Sequence, residues 1–240
     1  MARAARARRH PAGGVRAFWS SSTGKKLVMA TTGAILFGYV VLHLYGNLKL
    51  FAGPRAINGW WVFLRIAGEP AFGYAEVLWI VRIVLLLALS LHVTAAYQLT
   101  RRDRAARPVH YTLWHSAGST YASRTMGWSG LFLLLFIIYH IADLTLGTLH
   151  PATIVSYREG DVYRNLLGDF QLWYIAVIYI AAALALGLHL YHAVWSMAQT
   201  LGLTYPHSSR AWRKAALFFS LALTIGNITI PVVILTGMVH

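Results

Sequence analysis

The sequence predicts an all-α membrane protein built as a bundle of five transmembrane helices. Hydrophobic residues make up 58% of the chain, and only seven of its 240 residues are acidic. A helix crosses the hydrocarbon core of a bilayer with about 20 apolar residues, and five stretches of the chain reach that length. Because a lone segment in lipid satisfies its backbone hydrogen bonds only as a helix, each stretch is expected to be one spanning helix.

The five predicted spans follow one another with short connections. They cover residues 27–50, 72–99, 125–149, 170–200 and 215–239. The connections are too short to hold a second hydrophobic core, so residues 25–240 are expected to form one domain after a basic tail, 1–24. The Arg-rich start of that tail is similar to an organelle transit segment. Arginine is frequent along the whole chain, however, which favours a cytoplasmic tail in a bacterial protein.

The basic residues predict the orientation of the bundle. Most of the 21 Lys and Arg residues precede the first span, lie between the second and third spans, or precede the fifth. By the positive-inside tendency this side is cytoplasmic, which places the N-terminus inside and His240 outside a bacterial cell membrane. Loops 51–71 and 150–169 have balanced charges and are expected to be external. The net charge of +14 then indicates contact with anionic lipid or an acidic partner, and no nucleic-acid site is expected.

Four histidines lie inside four different spans: His43, His92, His140 and His189. Because successive spans run in opposite directions, His43 and His140 fall near the outer face and His92 and His189 near the inner face. The two levels are about 14 Å apart at 1.5 Å per residue. Low-spin haem needs two strong nitrogen ligands on opposite sides of the iron, which facing helices can supply. The depths therefore predict an outer haem and an inner haem, each held by two histidines.

The chain has no cysteine, so any redox centre in it must use histidine as its ligand. Disulfides and thiolate ligation of an iron–sulfur cluster by this chain are thereby excluded. The alternative for any single intramembrane histidine is packing or proton relay, but two depth-matched pairs favour ligation. Small residues near the histidines fit either a flat macrocycle or ordinary helix packing; they are Gly33, Gly38, Gly46, Gly127, Gly130 and Gly187.

Further polar residues in and near the spans have candidate roles. Arg82 needs an anion in hydrocarbon, and a haem propionate is favoured over the carboxylates of Asp143 or Glu76. Asn47 and Asp143 each lie one turn beyond an outer histidine and could bind a ligand or carry its protons there, with interhelical hydrogen bonding as the alternative. Glu69 and Glu76 at the outer end of the second span are candidates for proton exchange, or for complementing the helix dipole.

The cytoplasmic connection contains two more histidines. His110 and His115, with Trp114 between them, are interpreted as a docking surface for a partner chain.

Several motifs together resemble a known family. They are VLHL at 41–44 with Asn47, LHV at 91–93 with Tyr97, RTMG at 124–127, YH at 139–140, LH at 188–189, AVWS at 193–196 and GLT at 202–204. From Lys25 onward the chain is similar to the cytochrome b membrane anchor of succinate dehydrogenase and fumarate reductase, of the single-chain, five-helix type that encloses two b-type haems. The order of the histidines and the His-x5-Trp-Ser run are the specific part of the resemblance.

The resemblance implies a respiratory complex II of three chains. A flavoprotein subunit oxidises succinate, an iron–sulfur subunit relays electrons, and the anchor passes them through its haems to a membrane quinone, expected to be menaquinone, or runs the route in reverse. The axial ligands would match His43, His92, His140 and His189. His192 would either support the neighbouring ligand without binding the iron or have a packing role. The chain is expected to be the quinone-reducing subunit and not to act on succinate itself. Assembly of the complex into a higher oligomer stays an open alternative.

The quinone site has two alternatives in the sequence. The outer site would use Asn47, Glu69, Glu76 and Asp143, and would couple quinone reduction to the membrane potential. The competing inner site, between the inner haem and the iron–sulfur partner, would be lined by Arg124, Trp195 and Ser196. Two other functions also stay open: the diheme anchor of another quinone-linked dehydrogenase, and a haem-free proton or solute transporter.

Overall fold

The computed structural model describes residues 14–106, 121–151, 154 and 156–239. Those residues form helices, turns and short loops, and none of them is in a β-strand. Parts of the sequence interpretation lie outside the described residues: the tail up to residue 13, the C-terminal His240, and the docking candidates His110, Trp114 and His115.

Eight α-helices follow one another along the described chain. They are α1 (Val15–Ser20), α2 (Ser22–Asn47), α3 (Pro54–Ile66), α4 (Glu76–Ala105), α5 (Tyr121–His140), α6 (Val162–Phe170), α7 (Trp173–Thr200) and α8 (Ser209–Leu235). A 3-10 helix, Leu48–Ala52, continues α2, and a π-helix, Ile141–Thr145, continues α5. Of these, α2, α4, α5, α7 and α8 are long and apolar enough to cross a membrane. The prediction of an all-α, multi-pass membrane protein with five spans is confirmed.

Polar contacts at the helix ends explain where the spans differ from the hydropathy pattern. The helix α2 begins before residue 27 because the Ser21 hydroxyl accepts a hydrogen bond from the Gly24 amide at 2.8 Å, a normal N-cap. Lys25 in its first turn is buried, with its ammonium group bonded to the Trp19 carbonyl and 5.2 Å from the Trp19 ring. The helix α4 begins only at Glu76, whose carboxylate accepts from the Gly73 amide at 3.0 Å.

The helix α7 is the central helix of the bundle. It packs against α2, α5 and α8, while α4 packs along α2. In the most apolar part of α7, 33% of the residues are buried inside the bundle. The corresponding share is 6% in α4 and 6% in α5. In the described part of the chain, α2 and α5 do not pack along their length, and neither do α4 and α7. Within each of these two helix pairs the backbones stay apart, and contact depends on side chains that reach across.

A small-residue contact holds α7 against α8. A Cβ added at Gly187 would lie 2.0 Å from Oγ1 of Thr224 and 3.3 Å from its Cβ. Gly187→Ala should therefore lower the melting temperature of the purified protein, at a cost of about 1–3 kcal/mol for overpacking. The double variant Gly187→Ala with Thr224→Ala should recover most of that loss, since the clashing atoms are gone. Equal melting temperatures for Gly187→Ala and the unchanged protein would contradict this packing.

The two loops that were expected to be external, 51–71 and 150–169, contain the amphipathic helices α3 and α6, which the hydropathy pattern did not predict. Asn58 joins them: its amide group donates to Asp161 at 3.1 Å, and its carbonyl oxygen accepts from the Tyr163 amide at 3.0 Å. Arg65 and Glu159 form an ion pair at 3.5 Å. We call α3, α6 and their connections the cap. The cap closes the end of the bundle where α2 and α5 finish and α7 begins.

The buried apolar core lies at this capped end. It extends from the bundle into the cap and contains Leu44, Leu50, Ile57, Leu166, Phe170, Ile175, Leu190, Leu223, Ile230 and Ile234. The spans alone therefore do not make the core; the cap contributes Ile57, Leu166 and Phe170, which anchor it to the bundle.

Candidate functional site

The four intramembrane histidines meet in two pairs. His43 of α2 faces His140 of α5, with their ring centroids 5.6 Å apart and the ring planes at 85°. His92 of α4 faces His189 of α7, with centroids 6.4 Å apart and planes at 56°. The first pair lies at the capped end, and the second lies toward the opposite end. The first pair joins α2 to α5, and the second joins α4 to α7.

Three of the four rings form hydrogen bonds through one nitrogen and keep the other nitrogen available. Nδ1 of His92 lies 3.1 Å from the Met29 carbonyl and 3.3 Å from the Thr32 hydroxyl. Nδ1 of His189 lies 3.4 Å from the Ser129 hydroxyl, and Nδ1 of His140 lies 3.3 Å from the Tyr179 hydroxyl. Among the described residues, no Nε2 of these three rings has a hydrogen-bond partner. Outer hydrogen bonds through one nitrogen typically orient a histidine that binds metal through the other.

His43 is positioned by rings rather than by a hydrogen bond. The Tyr39 ring, one turn earlier on α2, stacks on it at 5.4 Å with an interplanar angle of 18°.

The spacing of the pairs can be compared with the requirement for a shared metal ion. Two imidazoles bound on opposite sides of one iron, with metal–nitrogen bonds of about 2 Å, have ring centroids about 6.3 Å apart. The His92–His189 pair, at 6.4 Å, matches this span. The His43–His140 pair, at 5.6 Å, is closer, so its rings must separate slightly to hold an iron atom. The donor set suits haem iron at both pairs, and the ring spacing agrees with a shared iron at the second pair only.

The structure separates the candidate glycines into three groups. Gly33 and Gly130 lie against the rings of the second pair: an added Cβ would be 3.3 Å from Cε1 of His92 and 3.6 Å from Cε1 of His189, respectively. Gly46 and Gly187 serve packing, against Trp60 and Thr224. A Cβ added at Gly38 or Gly127 would meet no described atom within 4 Å apart from the backbone of its own helix. Helix packing therefore accounts for only part of the glycine pattern.

Arg82 of α4 has a positive charge with no acidic partner among the described residues. Its guanidinium group lies 4.9 Å from the Trp79 ring centroid. Neither Asp143 nor Glu76, the carboxylates considered from the sequence, forms an ion pair with it. The pairing of Arg82 with a haem propionate stays a prediction.

Asp143, which the sequence placed near the outer pair, is buried in a cluster that the sequence did not reveal. Its neighbours are His150 of the cap and Asp169 of α6. Nδ1 of His150 lies 3.0 Å from Oδ1 of Asp169 and 3.7 Å from Oδ1 of Asp143. Burial and the neighbouring Asp143 raise the pKa of Asp169 to about 8. The Tyr179 hydroxyl donates to Oδ2 of Asp143 at 2.9 Å and also contacts His140, so this cluster is connected to the first pair.

The remaining quinone candidates lie apart from that cluster. Glu69 and Glu76 are exposed in and beside the turn before α4, and Asn47 is half-buried at the end of α2. Glu76 is occupied in capping its own helix through the Gly73 amide.

The candidates for the competing quinone site lie at the end opposite the cap. Arg124 is exposed in the first turn of α5, and Trp195 and Ser196 are half-buried near the end of α7. The guanidinium group of Arg213 lies 4.5 Å from the Trp195 ring centroid. His192 is half-buried beside them and makes no hydrogen bond or ring contact with another described residue.

The fold and the histidines define a class of protein: a multi-pass helical membrane protein with two histidine pairs that face one another inside the bundle. No protein-family model, no curated protein and no solved structure matches the chain. The resemblance to the cytochrome b anchors therefore depends on the sequence motifs alone.

Proposed function

We propose that the chain is the cytochrome b membrane anchor of a succinate:quinone oxidoreductase, respiratory complex II. In this proposal His43 and His140 hold one haem b and His92 and His189 hold a second. The observation that carries the proposal is the meeting of the four intramembrane histidines in two pairs, each between helices whose backbones stay apart.

The surrounding side chains support haem rather than a proton pathway. Three of the rings are oriented through Nδ1 and keep Nε2 available, which is the arrangement of a ligand held by outer hydrogen bonds. Gly33 and Gly130 give space beside the second pair, and Arg82 offers a cation for a propionate near the first. When bound, two haem groups would supply one-electron carriers at two depths of the membrane.

The partners follow from the same proposal. The anchor has no described soluble domain that could bind flavin, so oxidation of succinate requires a flavoprotein subunit, and the absence of cysteine requires a separate iron–sulfur subunit. The basic end of the bundle, opposite the cap and containing Arg101, Arg102 and Arg124, is the proposed docking side and the cytoplasmic side. Electrons would then enter near His92 and His189.

We place quinone reduction at the capped end, beside His43 and His140. Electrons that reach the first pair need an acceptor there, and Asn47, Glu69 and Glu76 offer polar groups at that end. Bound quinone or inhibitor at Trp195, Ser196 and Arg124 instead would favour the competing site opposite the cap.

The experiment that tests the proposed function is the reduced-minus-oxidised spectrum of the purified protein, together with identification of the chains that co-purify with it. We expect two low-spin b-type haems per chain, a flavoprotein and an iron–sulfur protein. A colourless preparation would overturn the assignment and favour a transporter. Haem with a different catalytic subunit would instead identify the anchor of another quinone-linked dehydrogenase.

A further inference from the structure

A buried cluster of potential metal ligands lies where the end of α5 meets the cap. It consists of Asp143 in the π-helix, His150 in the loop that follows, and Asp169 in α6. The side chains of both aspartates are 0% exposed, and that of His150 is 1% exposed. The proposed electron route uses neither His150 nor Asp169.

The ligand atoms converge on one small volume. One atom from each side chain lies within 4.8 Å of the other two, and Nδ1 of His150 is 3.0 Å and 3.7 Å from the carboxylate oxygens of Asp169 and Asp143. Ligands at about 2.0–2.2 Å around a tetrahedral Zn²⁺ ion are separated by about 3.3–3.6 Å. The two separations measured from His150, 3.0 Å and 3.7 Å, lie just below and just above this range.

Hydrogen bonding within the cluster does not account for this convergence. Five of its buried polar atoms have no hydrogen-bond partner among the described residues: Oδ1 of Asp143, both carboxylate oxygens of Asp169, and both ring nitrogens of His150. Although Nδ1 of His150 is 3.0 Å from Asp169, the contact does not have the alignment of a hydrogen bond. Buried polar groups are nearly always partnered, and a proton shared between the two carboxyl groups would still leave both ring nitrogens of His150 without a partner. A cation among the three side chains would give all three groups a partner.

We propose that Asp143, His150 and Asp169 bind one divalent transition-metal ion, and that Zn²⁺ is the ion they fit best. Zn²⁺ takes imidazole nitrogen and carboxylate oxygen in four-coordinate sites, whereas Ca²⁺ requires six or more oxygen ligands. Binding cancels the charge of two buried carboxylates and displaces any protons that they hold. The site requires neither haem nor a partner chain and goes beyond the proposed function.

The surrounding structure supports the aspartate ligand. Oδ2 of Asp143 accepts a hydrogen bond from the Tyr179 hydroxyl at 2.9 Å, which leaves Oδ1 directed toward His150. Such an outer hydrogen bond is typical of a ligating carboxylate. The three ligands come from the end of α5, the cap loop and α6, so the ion would join the cap to the bundle directly beside His140.

The test measures metal content in the intact protein, purified with an affinity tag that contains no histidine. We expect about one Zn²⁺ per chain that remains after dialysis against a weak chelator. X-ray absorption at the zinc edge should show nitrogen and oxygen ligands at about 2.0–2.2 Å and no sulfur. In Asp169→Asn the affinity for added Zn²⁺ should fall by at least about tenfold, whereas the matched control Asp161→Asn, which retains an N-cap side chain on α6, should bind as the unchanged protein does.

Two results would overturn the metal site: no uptake of Zn²⁺, Co²⁺ or Mn²⁺ by the metal-free unchanged protein, or equal Zn²⁺ affinity in Asp169→Asn and the unchanged protein. If Asp169→Asn fails to assemble, His150→Gln takes its place, and the zinc-edge spectrum of the unchanged protein decides independently of any variant. Haem content is measured in the same samples, so a colourless protein that binds Zn²⁺ would reject the proposed function and retain the metal site.

Discussion

His189→Leu is expected to abolish the spectral signal of one low-spin haem. The His92–His189 pair has the ring spacing that a shared iron requires, and a single remaining imidazole cannot complete a six-coordinate low-spin centre. The variant should therefore contain about half of the haem of the unchanged protein and keep the signal that belongs to His43 and His140. The measurement is the haem content and the low-temperature reduced-minus-oxidised spectrum of the purified variant.

The matched control is His192→Leu, which lies one turn from His189 on the same helix and makes no hydrogen bond or ring contact with another described residue. Both haem signals should survive in it. A His189→Leu protein with two unchanged low-spin signals would reject the ligand assignment, and a lost signal in His192→Leu would transfer the ligand role to that residue.

Tyr179→Phe is expected to raise the midpoint potential of the haem held by His43 and His140. The Tyr179 hydroxyl contacts Nδ1 of His140 at 3.3 Å and donates to Asp143 at 2.9 Å, so it connects the ligand to a carboxyl group. This outer contact makes the imidazole a stronger donor, which favours the oxidised iron. If the preference for the oxidised iron falls tenfold, the midpoint potential of this one-electron couple rises by about 59 mV. Redox titration with optical detection would measure the shift.

Two comparisons make the Tyr179 prediction specific. The potential of the haem at His92 and His189 should stay constant in Tyr179→Phe, because the contact involves only the other pair. Tyr174→Phe, on the same helix but 45% exposed, should leave both potentials unchanged. Equal shifts of both haems, or none, would show that Tyr179 only packs against the phenylalanine rings of this region.

The glycines show why the sequence pattern left alternatives open. Gly33 and Gly187 are each one of several glycines in an apolar helix, and composition does not distinguish them. In the structure, Gly33 adjoins the His92 ring and Gly187 adjoins Thr224 of α8. Which neighbour a glycine has depends on the rotation of each helix about its axis, and that rotation is decided by packing with the other helices.

The amino-acid sequence by itself determined the five spans and the two depths of the histidines. Both depend on a length that is fixed by the bilayer, which demands about 20 apolar residues for each helix and penalises every buried polar group. His43, His92, His140 and His189 could be recognised because each interrupts such a stretch. The depth of a residue along the membrane normal follows from its position in a helix of constant rise, so it can be counted from the sequence.

Only the tertiary structure decided the arrangement at the capped end. The helices α3 and α6 are short and amphipathic, so their apolar faces gain stability only by packing on the bundle and on each other. In the sequence, His150 and Asp169 lie in a connection that has the pattern of an ordinary external loop. They meet Asp143 because the π-helix after His140 and the packing of α6 against the end of the bundle bring three separate segments together. Such a meeting depends on the path of the cap in three dimensions, for which neither hydropathy nor residue spacing has a signal.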